Sequence, residues 1–220
     1  MTRLLGVMAV GLLAVGAAQA HFAFVVPDAE GKSAKLVFSD NLDPDTKVDI
    51  EKLSGTKLTL RDADGKDTAV EMKKGDGFYS LALPGSGPRT VFGVTDFGVR
   101  QKGDEKPFRL VYYPKAVIGG DAKAINGPLK AEILQTGSVG KVKFQVLAEG
   151  KPLADAEVTV IVPGEPKKAV KTDKEGFTEA FAPSGRYGVY ARYTEAKGGE
   201  LAGMKFTETR HYATLVVDVR

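Results

Sequence analysis

Apolar and polar positions along the chain run in short alternating stretches, with Gly, Pro, Asp and Asn clusters between them. That grammar is the signature of β-strands joined by turns. It predicts strands at Phe22–Val26, Lys35–Ser39, Lys57–Arg61, Thr68–Met72, Phe78–Ala82, Arg89–Val94 and Phe108–Tyr113. A second set is predicted at Ala131–Leu134, Lys141–Ala148, Glu157–Ile161, Ala169–Thr172, Thr178–Phe181, Gly185–Tyr193 and Arg210–Val219. Asp64-Gly65, Gly75-Asp76-Gly77, Gly85-Ser86-Gly87-Pro88 and Glu149-Gly150 supply turns between them. No stretch sustains a helical period; Val48–Leu53 allows one short helical turn at most. Many short strands at regular spacing predict an all-β protein of two tandem Ig-like or transthyretin-like sandwiches.

The first twenty residues break this pattern. Arg3 precedes an uncharged apolar run from Leu4 to Ala18, and Ala18-Gln19-Ala20 ends it with an A-x-A signal. This reads as a secretory signal peptide over residues 1–20, which places the protein in the periplasm, with secretion as the alternative. The run is short for a bilayer span of roughly 20 residues, and no later segment approaches that length. The Gly- and Pro-containing stretch 119–128 reads as a linker. It divides the mature chain into sandwiches at 21–118 and 129–220, each long enough for its own core.

Composition narrows the chemistry. The chain has 220 residues, no Cys and no Trp. Without Cys there is no disulfide framework, thiolate metal site or Cys nucleophile. A net charge of +3, evenly interspersed, argues against nucleic-acid binding. G-x-S-x-G and H-E-x-x-H are missing from the sequence, and the Gly85–Pro88 turn leads into a strand rather than a phosphate-cradling helix. The expectation is a binding protein, not an enzyme.

Only two histidines are present, His21 and His211. Cleavage after Ala20 makes His21 the first residue, so its α-amine and ring can chelate one metal together. His211 opens the last strand, in phase with Ala213, Leu215, Val217 and Val219 on the inward face. A His211 opposite the chelate would complete a three-nitrogen histidine brace suited to Cu(II), Ni(II) or Co(II). Asp40, Asp43, Asp45, Asp96 and Glu208, near turns or strand ends, are candidate extra ligands. Of these Asp40, Asp96 and Glu208 are carried as the candidate set beside the histidines. The alternative for His211 is a satisfied, half-buried strand residue. Asp40-Asn41-Leu42-Asp43-Pro44-Asp45 reads as a turn, since it lacks the Gly and distal Glu of a calcium loop. Tyr112, Tyr113 and Tyr212 could give an axial oxygen, although sheet aromatics are usually core.

Two resemblances sharpen this reading. Gly150-Lys151-Pro152-Leu153 with the strand after it, Thr172-Asp173-Lys174-Glu175-Gly176 and Gly185-Arg186-Tyr187 resemble the carboxypeptidase-regulatory-like sandwich. The whole of 21–220 resembles a two-domain periplasmic family associated with nickel or cobalt uptake. The matching residues are His21-Phe22-Ala23-Phe24-Val25-Val26-Pro27 after the signal, the second-domain turns just named, and the closing His211-Tyr212-Ala213-Thr214-Leu215-Val216-Val217. Where many members carry Gly-His after the second strand, this chain has Ser39-Asp40-Asn41. The resemblance implies a divalent transition metal held by His21 and His211, and a membrane importer as partner. A non-catalytic surface or adhesion module for protein or glycan partners is the second reading. A copper-dependent polysaccharide-cleaving enzyme is third, disfavoured by the lack of Trp and by 8% aromatics.

Overall fold

The structure is a computed structural model that describes residues 21–120, 124–125 and 128–220. The signal peptide read over 1–20, and part of the 119–128 linker, lie outside the described residues.

The strands in chain order are β1 (Phe22–Pro27), β2 (Ser33–Ser39), β3 (Lys57–Arg61), β4 (Asp67–Val70), β5 (Met72–Lys74), β6 (Phe78–Ala82), β7 (Arg89–Arg100), β8 (Phe108–Ile118), β9 (Ala131–Thr136), β10 (Lys143–Ala148), β11 (Lys151–Pro152), β12 (Glu157–Ile161), β13 (Lys168–Lys171), β14 (Gly185–Glu195), β15 (Gly199–Leu201), β16 (Met204–Phe206) and β17 (Glu208–Val219). A 3-10 turn, Ile50–Leu53, falls in the stretch that allowed one, and the Asp49 carboxylate caps it by accepting from Glu51 N–H. The architecture is all-β, as expected.

Three sheets stack in layers, and β15 and β16 pair as a separate two-stranded sheet. The central sheet has eight strands in the order β13-β12-β14-β17-β8-β7-β3-β4. Strands from both sides of the 119–128 segment enter it, joined by a parallel β8–β17 pair that sets Tyr112 beside Tyr212 and His211 beside Val111. One face is covered by the sheet β1-β2-β6-β5, burying Phe22, Phe24, Leu36, Val91, Tyr112, Ala116 and Val216. The other is covered by β11-β10-β9, burying Tyr113, Val117, Ile133, Phe144, Val189, Leu215 and Val217. The two sandwiches thus share the central sheet. This explains why β8 and β17 read as nearly continuous apolar runs: both faces of each strand leave water.

Three local departures from the sequence expectation have clear causes. β8 continues past Pro114 to Ile118, because its parallel partner β17 supports it there while the β7 ladder skips Pro114. The run expected at Thr68–Met72 breaks at Glu71, where the chain leaves the central sheet as β4 and joins the four-stranded sheet as β5. The strand expected at Thr178–Phe181 reduces to isolated bridges from Val142 to Phe181 and from Gln145 to Phe177.

Candidate functional site

His21 stands immediately before β1, beneath the loop that follows β2. Its side chain is 17% exposed and its ring lies 5.6 Å from the Phe38 ring. A carboxylate only accepts, so His21 Nε2–H donates to Asp45 Oδ2, at 3.0 Å. The second Asp45 oxygen accepts from Lys47 N–H at 2.9 Å. The His21 hydrogen bond, more than the Lys47 one, holds the Asp45 carboxyl below the usual carboxylate range. Tyr112 OH donates to the His21 carbonyl at 3.2 Å. Phe22 then stacks on Tyr190 at 3.8 Å and meets Tyr212 edge-on. The head of β1 is therefore seated on a ring cluster, with the His21 imidazole oriented by Asp45.

His211 occupies the other face of the central sheet. Residues of β17 alternate, so Tyr212, Thr214 and Val216 face β1, while His211, Ala213 and Leu215 face β9 and β10. The imidazole is 2% exposed and stacks between Tyr113 and Tyr193, with centroids 5.7 and 5.5 Å away. Its Nε2–H donates to Glu195 Oε2 at 3.3 Å, so its Nδ1 accepts from Tyr113 OH at 2.8 Å. Burial pushes this imidazole below its ordinary pKa, and Glu195 pulls the other way without reversing it. Burial alone would raise Glu195, but hydrogen bonds from Lys130 and His211 hold it low. Tyr113 is pushed up by burial.

The structure therefore does not bring His21 and His211 together. The central sheet lies between them, and a brace using both does not fit. Each additional candidate is held by a basic side chain: Asp40 meets Lys167 at 3.2 Å, Asp96 is clamped by Arg109, and Glu208 accepts from Arg210 at 2.7 Å. Among the described residues no three His, Asp or Glu side chains gather as a metal cluster. What the sequence reading did not assign is the partner of each histidine. Asp45, one of the candidate extra ligands, accepts from the His21 ring. Glu195 and Tyr193 were not singled out, although they continue the inward phase of Tyr187, Val189 and Ala191. The antiparallel β14–β17 register, with Tyr193 opposite His211, is what carries them there.

These observations define a class: an all-β protein of stacked sheets, with a carboxylate-oriented histidine at the head of its first strand. The chain belongs to the family DUF4198, a domain of unknown function, which matches residues 18–195. No curated protein matches it. Among solved structures, a two fibronectin type-III domain segment from chicken tenascin aligns over 87% of this chain and 98% of that one, at 15% identity and a TM-score of 0.22.

Proposed function

We propose that this is a periplasmic protein that captures a divalent transition metal (nickel, cobalt or copper) at a chain start created by cleavage after Ala20. It buffers the metal or passes it to a membrane importer. The observation that carries this reading is the His21–Asp45 contact at 3.0 Å. A chelate with the α-amine uses Nδ1, because only that ring nitrogen closes a compact ring with the residue's own amine. Nε2 is left over, and Asp45 takes it. Ligating histidines commonly give their second nitrogen to a carboxylate, which fixes the ring and raises its basicity. Two protein nitrogens leave coordination positions open, which suits a cargo that must be released. His211 has no part in this site.

The test uses protein processed to begin at His21 and verified by mass. Calorimetric titration with Ni(II), Co(II) and Cu(II) should give one-to-one binding. His21→Ala, and a chain carrying one added N-terminal Met, should lose it. Asp45→Ala should weaken it by about 10–100-fold, the usual cost of removing such a partner. Equal affinity in the Met-capped chain would overturn the reading. The separation of His21 from His211 favours the second reading, a non-catalytic module for protein or glycan partners, if no metal binds.

A further inference from the structure

At the end of β1 remote from His21, the β1–β2 turn, the β6–β7 turn and the far ends of β8 and β17 enclose a cleft of about 660 Å³. Arg89, the first residue of β7, forms part of its wall and is 5% exposed. Its Nη1 donates to the carbonyls of Leu83 and Pro84 at 3.3 and 3.0 Å, and Nη2 to that of Gly31 at 2.8 Å. Its Nε is buried and has no partner. All three acceptors are neutral, and a guanidinium cannot shed its charge. Among the described residues, then, no carboxylate balances this buried cation, an arrangement that costs stability.

The side-chain carboxylates that share the cleft are occupied elsewhere. Asp28 accepts from the N–H groups of Lys32 and Ser33 and from the Ser33 hydroxyl. Glu30 pairs with Lys32 at 2.8 Å, and Asp218 holds Arg186 through Nε and Nη2, each at 2.8 Å. Arg61, Arg109 and Arg186 all grip an aspartate by the Nε–Nη2 edge. Arg89 has the same edge, with Nε free of any partner. Two glycines lie against its terminal nitrogens. A Cβ at Gly31 would lie 3.4 Å from Nη2 and 2.5 Å from Ile118 Cγ2, and one at Gly85 would lie 3.6 Å from Nη1.

We propose that this cleft binds a small anion whose carboxylate or phosphate head seats on the Nε–Nη2 edge of Arg89. A fork of two parallel N–H donors matches either head. The volume lies within the roughly 300–1,000 Å³ of ordinary ligand pockets, so the anion carries a body beyond its head. This site is independent of His21 and lies at the other end of the first strand.

The arginine Nε–H resonances of the full chain, followed by nuclear magnetic resonance, test this directly. The protein is titrated with sodium citrate and, separately, with sodium phosphate, at fixed ionic strength. The Arg89 signal should move and saturate, while those of Arg61, Arg109 and Arg186 stay put. Saturation by citrate alone assigns a carboxylate head, and by phosphate alone a phosphate. Arg89→Lys keeps the charge and removes the fork, and should bind at least about tenfold more weakly. Equal affinity in Arg89→Lys, or a wild-type Arg89 signal that never saturates, overturns the proposal. If Arg89→Lys does not fold, the wild-type resonance decides alone.

Discussion

Truncating His211 to alanine separates the two faces of the central sheet by experiment. The imidazole is 2% exposed and packed between two tyrosine rings. Its removal deletes hydrogen bonds to Tyr113 and Glu195, each worth about 0.5–1.5 kcal/mol net. The vacated space adds a cavity cost. Buried Phe→Ala changes total about 3–5 kcal/mol, and an imidazole is smaller than a phenyl ring. Glu195 also keeps Lys130 at 3.3 Å, which limits its loss. A destabilisation of about 3–4 kcal/mol follows, or a melting point lowered by about 10 °C in a chain of this size. The assay is urea unfolding, with the midpoint moving at unchanged slope, run beside nickel titration of chains that start at His21. His211→Ala should lose stability and keep nickel, whereas His21→Ala should lose nickel. If the variant does not fold, His211→Gln serves in its place. Nickel lost on His211 substitution at unchanged stability would refute the placement of His211 behind the central sheet.

Other outcomes follow from the same geometry. Because burial lowers the His211 pKa, the folded ring takes up its proton at a lower pH than the unfolded chain, which protonates near pH ~6.5. The unfolded state then binds more protons as pH falls, so this stability is full above about pH 6.5 and is lost below it. Urea midpoints at about pH 7.5 and about pH 5.5 should differ more in wild type than in His211→Gln; equal differences would assign the effect elsewhere. Lys115 and Glu132, 1% and 5% exposed, form a 2.5 Å ion pair between β8 and β9. Glu132→Gln should cost up to about 3–5 kcal/mol in urea unfolding, since it takes the carboxylate charge from beside a buried ammonium; a loss below about 1 kcal/mol would mean that the remaining contacts of Lys115 suffice. A Cβ on Gly93 would lie 2.2 Å from the Lys57 carbonyl oxygen across the β3–β7 ladder. Gly93→Ala should therefore destabilise by about 1–3 kcal/mol, and an unchanged midpoint would show that the ladder yields freely.

The period-two pattern by itself determined the all-β class and most strand positions. Those are local properties: alternation records which side of a strand leaves water. The tertiary structure decided the rest. β8 and β17 are buried on both faces, so their apolar runs carry no mark of which side packs on which sheet. Their parallel pairing joins residues about a hundred positions apart, and no local pattern encodes it. That pairing puts the sheet between His21 and His211. It also leaves Asp45 and Glu195, rather than a shared metal, as the hydrogen-bond partners of the two rings. Arg89 looked like an ordinary strand residue in the sequence, because a missing counter-ion is visible only once every neighbouring carboxylate has found its own partner.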